Sequence, residues 1–243
     1  MVQSLHNSRT PYQRTSTATH HKILLHLKNH IIIHTNEIFE LINIMVATTT
    51  SHQIAPPKKY LFMDSKTSQF VCFLSGAGGT TGKSEVINTV RYYCKLFYNE
   101  LGIEFTKRTI VITAITGSAA VSIHGETMHF SCDFNSKMSP DEDWKITIMV
   151  VVDEISFIKK CDFEKLNKIL NTKCEVSSPR RFGNLQMIFA GNFCQLKPSN
   201  NFSRPLYAYK DLGVWHEGVN AFLELKTNHR FKDDPEWGKL LER

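Results

Sequence analysis

The stretch Ser75–Ser84, SGAGGTTGKS, decides how the rest of the chain is interpreted. It resembles the phosphate-binding pattern G-x-x-x-x-G-K-[ST], except that counting back from Gly82 places Ala77 where the first glycine is expected. An apolar run precedes the stretch, and apolar residues spaced every three or four positions follow it, which predicts strand, loop and helix in that order. Backbone N–H groups that converge at a helix N-terminus bind phosphate, so we interpret the stretch as a phosphate-binding loop rather than a simple turn.

The strand before this loop is one of several short apolar runs. None of them alternates with polar residues, so each predicts a strand buried on both faces, as in a parallel sheet. A helix is predicted from the apolar spacing between Val86 and Leu101, and another with Asp162 as its N-cap. Strands alternating with helices indicate an α/β fold, in which ligands bind beyond the carboxyl ends of the strands. The predicted strands are Phe70–Leu74, Thr109–Ile115, Ile148–Val152 and Met187–Ala190.

Residues with nucleotide chemistry follow these strands. After the first strand, Lys83 would reach the β- and γ-phosphates and the Ser84 hydroxyl would bind magnesium. After the third, Asp153 and Glu154 form a carboxylate pair that is costly to bury without a partner. In a nucleotide enzyme, Asp153 would hold magnesium and Glu154 would orient and deprotonate the attacking water.

Three further segments carry weaker signals. The sequence after the second strand, TGSAAVSIHGETMHF at 116–130, has small residues that allow close approach of a partner, although a helix-capping turn explains them equally well. Gln195, after the fourth strand, could sense the γ-phosphate or the water. Arg230 could act on the transferring phosphoryl group as arginine fingers do. Taken alone, Gln195 would be interpreted as a surface loop residue, and the alternative for Arg230 is a solvated surface arginine.

The bulk properties are those of a globular protein with a real core. Apolar residues make up 42% of the chain, and the net charge of +6 suits a polyanionic partner without identifying one. Six scattered cysteines, with no C-x-x-C pair, indicate reduced and mostly buried thiols rather than disulfides or a zinc site. No apolar run is long enough to cross a membrane, so no membrane partner is expected.

Residues 1–58 differ from the remainder. They contain no acidic residue before Glu37 and are rich in Ser, Thr and His. Such a start resembles an organelle transit peptide, but we interpret it as a basic extension that is partly disordered or forms short helices. His26, His30 and His34 would share one helix face, which we interpret as a polar face rather than a metal site because no carboxylate or thiol ligand lies beside them. A linker, APPKK at 55–59, ends the extension, and residues 59–243 are expected to form one domain.

Five motifs in order, FLSGAGGTTGKSEVI, TAITGSAAVSIHGETMH, VVVDEIS, LQMIFAGNFCQLKP and ELKTNHRFKDDPEW, resemble those of Pif-type helicases of superfamily one, which are relatives of RecD. The last motif looks especially like that of the helicases encoded by Helitron transposons. The resemblance covers residues 70–243 and implies a P-loop NTPase domain of the RecA-like type, with a mostly parallel sheet flanked by helices. It further implies an ATP-dependent DNA helicase that moves 5′ to 3′ on single-stranded DNA.

The resemblance also assigns residues. ATP and Mg²⁺ would be the cofactors, with Ser84 and Asp153 as magnesium ligands and Glu154, Gln195 and Arg230 as catalytic residues beside Lys83. Thr116, Gly117 and His129 would contact single-stranded DNA or DNA junctions. The residues expected to hold the nucleotide are Gly76, Ala77, Gly78, Gly79, Thr80, Thr81, Gly82, Lys83 and Ser84. Family roles in DNA repair, recombination and telomere maintenance place the expected site of action in the nucleus, with the mitochondrion as the alternative; the oligomeric state stays open.

The chain also departs from the family pattern. Its loop has one threonine more than the usual G-A-G-G-T-G-K-S. Either this threonine is inserted and Gly76 is the first glycine, or Ala77 holds the first position and Thr80 stands where glycine is usual. Asn192 stands where the family has aspartate. The motifs of a second motor domain are not found, so we expect little unwinding by this chain alone. A degenerate nucleotide- or DNA-binding module without turnover is therefore the alternative function, whereas another P-loop ATPase or a small-molecule kinase would not need the last two motifs.

Overall fold

The computed structural model describes residues 69–76, 82–100, 102–176, 181–194, 206 and 213–225. The expected extension at 1–58 lies outside these ranges. Six strands form one sheet in the order β3-β2-β4-β5-β1-β6, and all five neighbouring pairs are parallel. The predicted α/β class is therefore confirmed. The strands are β1 (Val71–Gly76), β2 (Ile110–Ala114), β3 (Glu126–Thr127), β4 (Met149–Asp153), β5 (Gln186–Gly191) and β6 (Ala221–Leu225).

Helices connect these strands. The longest, α1, follows β1 and spans the predicted apolar pattern, and the helix predicted after the third run is α4. The helices are α1 (Lys83–Glu100), α2 (Gly117–Ser122), α3 (Met128–Ser131), α4 (Lys160–Lys173) and α5 (Val214–Gly218). Short 3-10 turns lie at Glu142–Ile146, Ile155–Phe157 and Phe182–Asn184.

The predicted N-cap of α4 is wrong. The helix begins at Lys160, its N-cap is Lys159, and Lys159 makes no side-chain capping bond. Asp162 instead lies within the first turn, where a carboxylate interacts favourably with the positive end of the helix dipole. The helix is held by packing, because its apolar face inserts Phe163 and Leu166 into the core.

The core has two halves, one on each face of the sheet. One half packs α1, through Val86 and Val90, onto residues such as Cys72 and Ile112. The other packs α4 onto alternate residues of the same strands, such as Val150. Because side chains point alternately to the two faces of a strand, an apolar run without alternation is what a sheet covered on both faces requires.

Two strands were not predicted. β3 has only two residues and pairs with the end of β2 at Thr113 and Ala114. β6 is an edge strand whose outward side chains Phe222 and Glu224 are exposed while Leu223 and Leu225 are buried. Its burial therefore alternates, unlike that of the fully buried strands on which the prediction was based, and Glu224 interrupts its apolar run.

The cysteines differ in their burial. All six are free thiols. Burial raises the pKa of Cys72, Cys94 and Cys132 to about 12. Cys161 and Cys194 are exposed, so the expected burial holds for four of the six. Within the described ranges, no group of His, Cys, Asp and Glu has the arrangement of a metal site, and no helix is long and apolar enough to cross a membrane.

One ion-pair cluster ties α4 to the segment before β4. The Nζ of Lys173 donates to Asp133 Oδ2 at 2.8 Å and to Asp141 Oδ2 at 3.3 Å. Burial lowers the pKa of Lys173, but the hydrogen bonds and charges of the two carboxylates outweigh burial, so the pKa lies above its usual value. The Lys173 side chain is only 9% exposed, so this cluster is screened less by solvent than a surface pair.

Candidate active site

The two ends of the predicted phosphate-binding loop lie at the end of a strand and the start of a helix, as the sequence predicts. β1 ends at Gly76 and α1 begins at Lys83, while Ala77, Gly78, Gly79, Thr80 and Thr81 lie outside the described residues. Gly82 has a φ of 82°, a left-handed value that favours glycine. Its carbonyl accepts the first bond of the helix, from the N–H of Val86 at 3.0 Å. The second glycine of the motif is thus required by the backbone.

Lys83 folds back toward the end of β1. Its Nζ donates to the carbonyl oxygen of Gly76 at 2.9 Å, and the residue is only 8% exposed. Burial lowers the pKa of Lys83, and the negative charges of Asp153 and Glu154 act in the opposite direction. The Lys83 side chain therefore reaches back to Gly76, the residue at which β1 ends. It also lies close enough to Asp153 and Glu154 for their charges to oppose that lowering of its pKa.

Asp153 is the last residue of β4 and is 5% exposed. Its Oδ1 accepts a hydrogen bond from the N–H of Glu154 at 2.9 Å. Burial raises the pKa of Asp153, while that bond and the charge of Lys83 hold it down. A carboxylate in this position is poorly satisfied by the described residues alone, so a cation beside it would be favourable.

Glu154 adopts a left-handed backbone conformation, with φ 57° and ψ 40°. For a residue other than glycine this costs about 1–2 kcal/mol, and such strain is concentrated at functional sites. Burial and, after it, the charge of Asp153 raise the pKa of Glu154, while Lys83 opposes them. The side chain is half-buried. A carboxylate of raised pKa is a better proton acceptor for water than an ordinary one.

These residues come together because they end parallel strands or begin the helix after one. Oxygen ligands are what Mg²⁺ prefers, and the pair Ser84 and Asp153 supplies a hydroxyl and a carboxylate. Ser84 lies exposed in the first turn of α1. The donor set therefore fits magnesium, and Lys83 adds the positive charge that phosphate oxygens require.

The expected DNA-contacting residues lie after β2. Thr116 is the N-cap of α2, and its Oγ1 accepts from the N–H of Ala119 at 3.3 Å, so the helix-capping role is real. Gly117 is exposed, and no described atom lies within 4 Å of the place where a Cβ would be. His129 is exposed on α3, with its ring 4.6 Å from that of Phe134. All three are accessible within the described part of the chain.

The remaining site residues are only partly described. Gln195 and Arg230 lie outside the described ranges. Asn192 closes a turn after β5, where its Oδ1 accepts from the N–H of Cys194 at 2.9 Å. An aspartate could accept the same bond, so the asparagine changes the charge here without removing the turn. The sequence analysis did not single out Ser156, whose buried Oγ has no hydrogen-bond partner among the described residues. Its position two residues after Glu154 is the sequence feature that could have drawn attention to it.

Comparison with known proteins places the chain in a family. The sequence profile of the PIF1-like helicase family matches residues 62–238. The chain is 31% identical over 140 residues to the ATP-dependent DNA helicase RRM3 of Saccharomyces cerevisiae. This alignment covers 52% of this chain and 18% of RRM3. It is 30% identical over 174 residues to the human ATP-dependent DNA helicase PIF1, which covers 66% of this chain and 25% of that protein. The chain thus spans a quarter or less of these relatives.

Solved structures establish the same fold. The Pif1 helicase of Candida albicans superposes with a TM-score of 0.62 at 23% identity, covering 87% of this chain and 44% of that one. The Pif1 helicase of Bacteroides in complex with ADP-AlF3 and single-stranded DNA gives 0.57 at 19% identity, covering 87% and 46%. The match of the family over residues 62–238 shows that the chain belongs to the PIF1-like helicases.

Proposed function

We propose that this chain binds ATP and hydrolyses it when single-stranded DNA is bound, as the first motor domain of a DNA helicase that moves 5′ to 3′. The observation that carries the proposal is the meeting of Lys83, Asp153 and Glu154 at the carboxyl edge of the sheet, where their charges act on one another. We take residues 59–243 as the domain. Membership of a helicase family supports the coupling of hydrolysis to DNA.

Each residue then has a distinct task in binding. The loop from Gly76 to Ser84 would cradle the phosphates with backbone N–H groups, and Lys83 would exchange its bond to Gly76 for a phosphate oxygen. Ser84 and Asp153 would hold Mg²⁺, which neutralises charge on the phosphates. The buried position of Asp153 supports this role, because a carboxylate there gains from a neighbouring cation.

Hydrolysis would depend on Glu154. Its half-buried carboxylate would accept the proton of the attacking water, and its raised pKa suits that task. The left-handed backbone would fix the direction in which the side chain leaves the end of β4. Gln195 would sense the γ-phosphate and Arg230 would stabilise the charge that develops on it, roles that rest on the sequence motifs.

DNA would bind at the end of β2. Gly117 and His129 are exposed there and Thr116 is half-buried, and Gly117 leaves room for a close backbone contact. The neighbouring Bacteroides structure contains single-stranded DNA, which supports this class of partner. We propose action on single strands or junctions in repair, recombination and telomere maintenance, in the nucleus or, as the alternative, in mitochondria.

ATP hydrolysis by the 243-residue chain, measured with and without single-stranded DNA, tests the proposal. We expect DNA to stimulate hydrolysis, Lys83→Ala to abolish it, and Lys168→Ala, on the exposed face of α4, to leave it unchanged. Equal rates for the wild type and Lys83→Ala would contradict the proposal.

A module that binds nucleotide without turnover is the second candidate, and the extra threonine of the loop favours it. Titration with a fluorescent ATP analogue separates the two functions. Binding that Lys83→Ala abolishes, together with no hydrolysis under any condition, would establish the second candidate in place of the first.

A further inference from the structure

A groove of about 630 Å³ lies along the outer edge of β2, away from the nucleotide site. Its walls are the second half of α1, the segment that leads into β2, and residues 124–133. β3 pairs only with Thr113 and Ala114, so the first three residues of β2, Ile110–Ile112, line the groove along an edge that β3 does not pair. At the other end the groove is closed by Gly125, which lies directly against the carbonyl of Ile112.

The groove is strongly basic. Arg91 and Lys95 lie four residues apart on α1, so they share one face of that helix. Lys107 and Arg108 approach from the segment before β2. Arg91, Lys95 and Lys107 are exposed, and none of the four side chains forms an ion pair or hydrogen bond with another described residue. Four cations in one groove, without an ionic partner among the described residues, create a positive potential that a regularly charged polyanion would satisfy.

The two carboxylates of the groove do not cancel this charge. Asp133 is already bound by Lys173, whose Nζ lies 2.8 Å from its Oδ2. Glu126 accepts a hydrogen bond from the Oγ of Ser131 at 2.5 Å. The four cations therefore face one carboxylate that has no cationic partner in the described part of the chain.

An aromatic side chain stands in the groove wall. Phe130 lines the groove and is 71% exposed, although aromatic rings of this size usually contribute to a core. A basic groove with an exposed ring is the combination that binds single-stranded nucleic acid, because the cations contact phosphates and the ring stacks on a base. An acidic peptide would use the cations but would leave the ring without a stacking partner.

The groove is separate from the nucleotide site. None of Lys83, Asp153 and Glu154 lines it. Arg91 and Lys95 lie about 12 and 18 Å along α1 from Lys83, at about 1.5 Å per residue. Occupation of the groove therefore does not compete directly with nucleotide.

We propose that this groove is a second contact surface for single-stranded nucleic acid, in which Arg91, Lys95, Lys107 and Arg108 bind phosphates and Phe130 stacks on a base. It deepens the proposed function, and it extends the DNA path beyond Thr116, Gly117 and His129. Contacts to phosphate through cations and to a base through stacking carry no sequence preference, so binding in the groove is sequence-tolerant.

The salt dependence of DNA affinity tests the cations. Fluorescence anisotropy with a labelled oligothymidylate, without nucleotide, gives the affinity of the 243-residue chain at 50 and 200 mM salt. Each phosphate contact to a single strand contributes about −0.7 to the slope of log affinity against log salt concentration. Four contacts therefore make the affinity fall about 50-fold between these two salt concentrations. A quadruple variant, in which each cation is replaced by glutamine, should lose that part of the dependence. The substitutions are Arg91→Gln, Lys95→Gln, Lys107→Gln and Arg108→Gln.

A matched quadruple variant controls for net charge. It replaces four lysines that lie on or near α4. This part of the chain packs on the face of the sheet opposite to α1. We expect this control to keep most of the wild-type slope. Equal slopes for the two variants would overturn the proposal for the cations and leave an acidic protein segment as the occupant to test. The control substitutions are Lys145→Gln, Lys159→Gln, Lys160→Gln and Lys168→Gln.

Phe130→Ala tests the stacking. Loss of one stacked base corresponds to a weakening of about five- to 150-fold, whereas Phe130→Trp should keep the affinity. Phe222→Ala is the control, because Phe222 is 64% exposed on β6 at the opposite edge of the sheet. Equal affinities of Phe130→Ala and Phe222→Ala would overturn the stacking role. Because no nucleotide is present, a chain that fails to hydrolyse ATP but shows these differences would refute the proposed turnover and leave the groove intact.

Discussion

Glu154 is held in a backbone conformation that glutamate resists, and this makes a sharp prediction for two substitutions. Glu154→Ala removes the carboxylate but keeps a Cβ at φ 57°. Glu154→Gly removes the carboxylate and the strain together. Because both variants lose the same charge beside Asp153, the difference between their stabilities isolates the backbone contribution.

The magnitude follows from two opposing effects. A left-handed residue with a Cβ costs about 1–2 kcal/mol, which glycine avoids. Glycine loses more conformational freedom on folding, by about 0.5–1 kcal/mol relative to alanine. We therefore expect Glu154→Gly to be about 1 kcal/mol more stable than Glu154→Ala. For a protein of this size that corresponds to a difference in Tm of about 2–4 °C.

Urea unfolding and thermal melts without nucleotide measure this difference, since bound ligand would shift both curves. Lys168 in the middle of α4 gives the matched control, because it is exposed and lies within a helix. There, Lys168→Gly should be less stable than Lys168→Ala by about 1 kcal/mol, the opposite order.

Both Glu154 variants should lack ATP hydrolysis even though one of them is the more stable. Higher stability together with lost hydrolysis would show that the strained backbone at Glu154 lowers the stability of the protein at a residue that its activity requires. If Glu154→Gly were equal to or less stable than Glu154→Ala while the Lys168 pair behaved as expected, the argument from backbone strain would be refuted.

Three further predictions concern the fold. Gly125→Ala should cost about 1–3 kcal/mol in unfolding free energy, because a Cβ there would lie 2.4 Å from a backbone carbonyl oxygen of β2, whereas Gly117→Ala should stay within about 0.5 kcal/mol; similar urea midpoints for the two variants would be contrary to this. Lys173→Met should lower the free energy of unfolding by about 1–2 kcal/mol at pH 7. Because the folded pKa of Lys173 is raised, this stability difference between wild type and variant should persist below pH 10.5 and shrink as the pH rises through the folded pKa. A stability difference that does not change with pH would contradict this prediction. A disulfide reagent at pH 8 should label Cys161 and Cys194 rapidly and the four buried thiols only on unfolding, so rapid labelling of a third thiol would disagree with the structure.

The central strands and the candidate nucleotide site were predictable because several signals coincided. Fully apolar runs predicted β1, β2, β4 and β5, and each of the first three motifs begins inside one of these strands and continues past its end. The order of the sheet then brings Lys83, Asp153 and Glu154 together, which the motifs had predicted from their chemistry.

The remainder depends on tertiary contacts that no local pattern encodes. The edge strand β6 alternates exposed and buried residues and is held by its pairing with β1. The left-handed backbone of Glu154 has no sequence signal, because glycine and asparagine are the residues that favour it. The basic groove joins Arg91 and Lys107, which lie on different elements, with Phe130, and only the folded chain brings these residues together.

The most direct test of the central claim compares Glu154→Gln with Lys83→Ala in two assays, titration with a fluorescent ATP analogue and DNA-stimulated hydrolysis. If Glu154 is the base and Lys83 the phosphate ligand, Glu154→Gln should bind the analogue as the wild type does and hydrolyse ATP about 10²- to 10⁴-fold more slowly. Lys83→Ala should bind it about ten- to 100-fold more weakly, as expected for the loss of a hydrogen bond to a charged group. Wild-type hydrolysis by Glu154→Gln, or wild-type binding by Lys83→Ala, would contradict the account.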